Sequence, residues 1–262
     1  MLLPEGFITM LKHQRQKDLV DILRSDNIIS ISELSGRLNA SMMTIRRDLE
    51  YLEETGMIKR VHGGAVLLQS QDGQPSFHEG IEESGAEKQR IGREAAKLIT
   101  PESIVFFDSG TTPLAITQNI PEGLKFTAIT TGLISAVSLC NRSSASVISI
   151  GGDVHCATYT SINHIAVDMI KKFRADLAFI STKAFSFPEG SYETHLPLIE
   201  VKKAIVSVSR KVVLVADHSK FDNRALCLSI PLEDIDMIIT DVKTPESVIA
   251  QLREQGKDVL VV

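Results

Sequence analysis

Thr44, Arg46 and Arg47 crowd the start of one helical segment, directly after Ser41. At about 100° per residue Met42, Ile45, Leu49 and Leu52 share an arc of ~80°, the width of a buried stripe. Met43, Thr44 and Arg47 then face the other way, with Arg46 on the flank. A helix start of this kind fits the major groove of a duplex. There arginine bonds guanine edges or phosphates through two N–H groups at once. Further on, Lys59, Arg60 and His62 stand beside Gly63 and Gly64, and glycine leaves room for a close approach to a phosphate backbone. A second set of residues suits smaller anions. Asp108-Ser109-Gly110-Thr111-Thr112 follows an apolar run, Thr130-Thr131-Gly132 closes the next, and Gly151-Gly152 the one after. Hydroxyls and free backbone N–H groups at helix starts make anion sites.

Two kinds of scaffold must hold these groups. Residues 12–55 read as helices with short breaks. Leu19, Ile22 and Leu23 give the first an apolar side. Ile31, Leu34 and Leu38 stripe the second, with Ser32 as its expected N-cap, and Asn39-Ala40-Ser41 is a turn with Ser41 capping the third. Residues 57–68 read as two short strands around a Gly-Gly turn, and the polar stretch 69–80 as a linker. From residue 84 short apolar runs alternate with helical segments: Ile104–Phe107, Phe126–Thr130, Val147–Ile150, Leu177–Ser181, Val212–Ala216, Met237–Thr240 and Val259–Val262. That rhythm predicts a mainly parallel α/β sheet with crossover helices, whose ligands sit at the carboxyl ends of the strands. The expected layout is a winged helix-turn-helix domain over 1–68, a linker over 69–83 and an α/β domain over 84–262.

Composition narrows the class. The 262 residues are 43% hydrophobic and 23% charged, enough to bury a core and too apolar for wholesale disorder. No run approaches the ~20 apolar residues of a membrane span, and the first residues lack the apolar centre of a signal peptide. A cytoplasmic protein is expected. Cys140, Cys156 and Cys227 are odd in number and widely spaced, which argues against a disulfide framework or a zinc site. His155, His164, His195 and His218 show no metal-ligand spacing, so neither metal nor cofactor is expected. The net charge of −5 lies entirely outside residues 1–66, where nine basic residues balance nine acidic ones. Any nucleic-acid footprint must therefore come from local clustering.

The run from Ile31 to Leu49, then Leu52-Glu53, Gly56 and Lys59-Arg60-Val61-His62-Gly63-Gly64-Ala65, resembles the DeoR family of bacterial transcriptional regulators. The resemblance implies that Ser41, Thr44, Arg46 and Arg47 approach DNA, with Arg60 and His62 on the wing; Met43 and Gly63 join them by position. It also marks Met1–Thr9 as an extension and Met10 as a candidate start. The second half resembles the family's effector domain, which is similar to sugar-phosphate isomerases. Asp108-Ser109-Gly110-Thr111-Thr112 and Gly151-Gly152 match its pattern. Thr130-Thr131-Gly132-Leu133 stands where the family commonly has Thr-Asn-Ser-Leu. Lys202 matches a helix lysine. Ala216-Asp217-His218-Ser219-Lys220-Phe221 also matches, placing Asp217 and Lys220 near the ligand or a subunit contact, with a turn cap as the alternative for Asp217.

Two stretches depart from the family. Ser181-Thr182-Lys183-Ala184 stands where Gly-Ala-Asp-Gly is general, so Lys183 reverses the charge of an expected acid. Gly190 to His195 replaces a Gly-Leu-Thr-Thr-x-Asn run. A lysine there pairs with a carboxylate or phosphate of the ligand, or is a surface residue.

The expected function is a DNA-binding repressor of a carbohydrate catabolic operon, controlled by a small phosphorylated sugar or sugar acid. It would act on double-stranded operator DNA as a homodimer or homotetramer, since reading two half-sites requires symmetry. No catalytic residue is assigned. The alternative is a sugar-phosphate isomerase, whose general base would be Glu193 or Glu200. A third reading, a winged helix that contacts protein, is disfavoured by the outward Thr44 and Arg47.

Overall fold

The computed structural model describes residues 14–16, 18–23, 29–54, 58–61, 64–67 and 77–262. They fall into two compact units, Met1–Glu79 and Gly80–Val262.

The first unit runs α1 (helical residues 14–16 and 18–23), β1 (Ile29–Ser30), α2 (Ile31–Arg37), α3 (Met42–Glu54), β2 (Ile58–Val61) and β3 (Gly64–Leu67). Apolar residues of every element meet in one core, among them Leu19, Leu23, Leu34, Ile45, Leu49 and Ile58. β2 and β3 pair antiparallel with Val61 opposite Gly64, so two residues connect them. β1 adds to the far side of β3. This strand interrupts the stretch expected to be helical. It also moves the start of α2: the cap is Ser30, whose Oγ accepts from the Glu33 N–H at 3.2 Å, rather than Ser32, because the chain leaves β1 directly into the helix. The β1–β3 contact depends on Gly64, where a Cβ would collide with the carbonyl of Ile29.

The segment read as a linker contains α4 (Phe77–Glu82), which straddles the boundary between the units. Phe77 is buried, which gives those six residues a reason to order that their polar neighbours conceal. The second unit continues α5 (Gly85–Ala96), β4 (Ile104–Phe107), α6 (Thr111–Thr117), β5 (Thr127–Thr130), α7 (Leu133–Arg142), β6 (Ser146–Ser149), β7 (Asp153–His155), β8 (Thr160–Ile162), α8 (Asn163–Ile170) and β9 (Leu177–Ile180). It ends β10 (Ala184–Ser186), β11 (Gly190–Glu193), α9 (Leu196–Ser207), β12 (Val212–Val215), β13 (Cys227–Pro231), β14 (Met237–Thr240), α10 (Glu246–Glu254) and β15 (Asp258–Val261).

The seven apolar runs are the seven strands of one parallel sheet, ordered β15-β14-β12-β9-β4-β5-β6. β9, β12 and β14 are buried along their whole length, as expected of strands covered on both faces. One apolar cluster lies on each face: Phe106, Ala178 and Leu214 point into one, Val105, Phe179 and Val213 into the other. From β4 the chain builds outward through β5 to β6, then returns to build from β9 towards β15. The order therefore reverses between β4 and β9, and open α/β sheets bind ligands at such a switch point, beyond the carboxyl ends of the strands. Beside the main sheet stand a three-stranded antiparallel sheet, β10-β11-β13, and the hairpin β7-β8. Neither was expected from the sequence.

Candidate functional site

On α3 the hydroxyl of Ser41 accepts from the Thr44 N–H at 3.2 Å and lies 2.9 Å from the Thr44 hydroxyl, so Ser41 caps the helix as expected. Met43, Arg46 and Arg47 are exposed and Thr44 is half-buried at the same end. Ile45, Leu49 and Leu52 form the buried stripe, but Met42 is 44% exposed. As the first helical residue it extends past the core that the later turns cover. Asp48 completes the buried side, a position no apolar periodicity indicates. Its carboxylate accepts from Arg15 Nε at 2.6 Å and Gln16 Nε2 at 3.1 Å, fastening α1 to α3. The exposed start of α3 is thus held by a cap, a stripe and a clamp, and the two arginines stand free of ion pairs among the described residues.

Arg60, on β2 of the hairpin, has contacts that the sequence does not indicate. Its backbone N–H donates to Glu53 Oε1 at 2.9 Å, and its guanidinium lies 3.4 Å from Glu50 and 3.9 Å from Glu53. It ties β2 to α3, and its charge is already answered. His62 and Gly63 lie outside the described residues.

At the sheet edge the loops after β4, β5 and β9 pack on one another. Gly110 has φ +122°, and a Cβ there would sit 3.0 Å from Ser181 Oγ. A Cβ on Gly132 would sit 3.3 Å from Ser109 Cα. Ser109, Thr112, Thr130 and Thr131 are buried and Thr111 is half-buried. Thr130 Oγ1 accepts from the Gly132 N–H at 3.1 Å. The Thr131 hydroxyl is buried with no hydrogen-bond partner among the described residues. Gly151 and Gly152 are exposed beyond β6, at the outer strand of the sheet and away from the switch point.

Asp108 and Lys202 answer each other. Asp108 Oδ2 accepts from the Ser181 N–H at 3.0 Å, the Ser181 hydroxyl at 2.7 Å and Lys202 Nζ at 2.8 Å. Lys202 also donates to the Ser181 carbonyl at 2.6 Å and lies 2.9 Å from Glu193 Oε1. Burial pushes the Lys202 ammonium down, but Asp108 and Glu193 outweigh it and hold its pKa above the ordinary lysine value. These residues lock β4, β9, β11 and α9 together behind the edge. Asp217 is a cap: its Oδ1 accepts from the Ser219 N–H at 3.1 Å and the Ser219 hydroxyl at 2.5 Å. Its other oxygen lies 3.8 Å from Lys88 Nζ. Lys88, on α5, was not singled out in the sequence. It is buried, donates to the carbonyls of Gly80 at 2.6 Å and Glu83 at 2.5 Å, and burial pushes its pKa down.

Lys183 and Lys220 remain. Both are half-buried, one in the loop between β9 and β10 and the other in the turn after β12. Burial, and the neighbouring charge of Lys220, push the Lys183 ammonium below the ordinary lysine value; Glu193 and Glu83 pull the other way and do not restore it. The rings of His155 on β7 and His195, the residue before α9, stack with centroids 4.5 Å apart. Among the described residues no group of three His, Cys, Asp or Glu is arranged to hold a metal, and no helix is long and apolar enough to cross a membrane. The two carboxylates considered as an isomerase base are poorly disposed for it: Glu193 is held by Lys202, and Glu200 is exposed.

Comparison with known proteins follows the same division. The family described as DeoR-like helix-turn-helix domain matches residues 15–71, and the DeoR C terminal sensor domain matches 83–242. The HTH-type transcriptional regulator GolR of Listeria innocua is 34% identical over 96% of this chain and 99% of its own. The glycerol-3-phosphate regulon repressor of Escherichia coli is 31% identical over 94% of this chain and 97% of its own. Among solved structures, ribose 5-phosphate isomerase A of Methanocaldococcus jannaschii covers 53% of this chain and 55% of that chain at 13% identity, with a TM-score of 0.40. That likeness is too slight to add to the sheet order itself. The curated relatives are named as regulators rather than enzymes. Both halves are matched in order and the relatives align along nearly their whole length, so the chain belongs to the DeoR family of transcriptional regulators.

Proposed function

We propose that the protein represses a carbohydrate catabolic operon and that a small phosphorylated sugar or sugar acid controls it. The observation that carries this reading is the pairing of two prepared surfaces in one chain. One is the exposed start of α3, with Thr44, Arg46 and Arg47. The other is the sheet's switch point, where hydroxyl-rich loops meet two half-buried lysines that no described carboxylate pairs. Ser41, Met43 and Thr44 would contact base edges or sugar, and Arg46 and Arg47 phosphates or guanine. His62 and Gly63 would lie on the wing, with Arg60 positioning it. Ser109, Gly110, Thr111, Thr112, Thr131 and Gly132 would line the ligand, with Lys183 and Lys220 supplying charge. Asp108, Thr130, Lys202 and Asp217 would hold those loops in place. A relative named glycerol-3-phosphate regulon repressor, 31% identical, supports both the repressor role and a phosphorylated ligand. The reading places residues 1–68 on DNA and 84–262 in sensing and assembly, as a cytoplasmic homodimer or homotetramer.

Gel shifts on the DNA upstream of the gene's own start, with sedimentation in parallel, test this. A dimer or tetramer that binds selectively and loses the complex on Arg47→Ala is expected. A monomer at micromolar concentration with intact DNA binding would overturn the symmetric part of the reading.

A further inference from the structure

We propose that Lys183 reads a carboxylate on the effector, so that the ligand is a phosphorylated sugar acid and not the phosphate of an uncharged sugar. The inference rests on the effector reading above and sharpens it. Its geometry starts from the strand order. Lys183 lies in the loop that follows β9, one of the two strands that flank the switch point, and its backbone N–H is fixed to the Tyr192 carbonyl at 3.2 Å. Its place at the edge is therefore set by the β10–β11 pairing, in which Ala184 stands opposite Tyr192.

Of the carboxylates near it, Glu83 makes no ion pair with it among the described residues, and the others have partners elsewhere. Glu193, the next residue on β11, lies 2.9 Å from Lys202. Asp108 lies 2.8 Å from the same ammonium. Asp217 caps the turn before Lys220 and faces Lys88 at 3.8 Å. Among the described residues none of them reaches Lys183 or Lys220 at ion-pair distance. Two half-buried ammonium groups of like charge thus flank a loop cluster that also holds the buried, unpartnered hydroxyl of Thr131. The contrast with Lys202 is informative. There two carboxylates more than offset burial; at Lys183 burial wins. A half-buried cation in that state gains from an anion brought by a ligand. One phosphate has a ready place among the hydroxyls and Lys220. A second anionic group is what Lys183 would answer.

The test is a set of matched pairs on the full-length protein, followed by calorimetry: 3-phosphoglycerate against glyceraldehyde 3-phosphate, 4-phosphoerythronate against erythrose 4-phosphate, and 6-phosphogluconate against glucose 6-phosphate. In the pair of fitting length the acid should bind more tightly by about tenfold or more, the scale of one charge-assisted hydrogen bond. Lys183→Met, which keeps the aliphatic stem, should abolish that preference, costing the acid about tenfold more affinity than the aldose phosphate, and a melting curve on the variant checks its fold. If the aldose phosphates bind as tightly as the acids, or Lys183→Met weakens both alike, the proposal fails and the sugar-phosphate effector stands. If no member of any pair binds, both the proposal and the effector reading fail.

Discussion

Lys202 and Lys183 differ in who neutralises them, and the difference separates structure from recognition. Lys202 is buried between Asp108 and Glu193. Removing one partner of a buried pair strands the other charge, so Lys202→Met should cost roughly 3–5 kcal/mol in denaturant unfolding. The sign with pH follows from its raised folded-state pKa. Its stabilisation is complete below the ordinary lysine value and is lost only as pH climbs through the higher folded one, so stability near neutrality should be flat for this group. Lys183 should behave oppositely towards a ligand. It faces Lys220, Glu193 and Glu83, and its pKa is depressed. Preference for the acid should therefore fall, as pH rises, at lower pH than an ordinary lysine would deprotonate, and Lys183→Met should flatten the profile. Calorimetry across that range checks it. On α3, Arg47→Ala should cost about 1–3 kcal/mol of operator affinity and lower the salt slope if the contact is a phosphate. Arg60→Ala should cost less, since its guanidinium already faces Glu50 and Glu53.

At the scale of elements, the helix proposed to contact DNA depends on its neighbours α1 and β2. Asp48→Ala would leave Arg15 and Gln16 without their acceptor and free α1 from α3. A loss of about 1–3 kcal/mol in stability, with weaker operator binding at unchanged Arg46 and Arg47, is expected in denaturant and gel-shift series. Gly64→Ala would drive a Cβ into the Ile29 carbonyl and part β1 from β3. These dependencies also mark the limits of what a sequence discloses. The seven sheet strands were legible because each centres on a short apolar run, and β9, β12 and β14 are buried along their whole length, a pattern strong enough to survive without a partner in view. β7, β8, β10, β11 and β13 were not: they are three to five residues long, carry Ser, Thr, Asp and Glu, and owe their order to tertiary pairing. β1 is two residues and follows a helix, so Ser32 looked like the cap until the strand displaced it to Ser30. The start of α3 was legible from its period and its cap. Asp48 was not, because a charge on a buried stripe is explained only by a partner 33 positions away. Likewise Lys88 joins the sheet edge from α5, far from Asp217 in sequence, and the bond between Asp108 and Lys202 spans 94 positions, beyond any local pattern.

For the whole molecule, the account makes one chain answer to two ligands. A small molecule changes operator affinity only by binding the DNA-competent and DNA-incompetent arrangements unequally, and the coupling is reciprocal. A coupling of about 1–3 kcal/mol would appear as a 5- to 150-fold change in operator affinity. Reading paired half-sites calls for a symmetric oligomer, so the same change should leave the sedimenting species a dimer or tetramer. The most direct measurement is fluorescence anisotropy of the protein on its upstream DNA at fixed salt, titrated with phosphorylated sugar acids and their aldose counterparts. The account predicts a selective complex whose affinity is shifted at least fivefold by one phosphorylated acid and much less by its aldose partner. A selective complex indifferent to every phosphorylated sugar and sugar acid would contradict it.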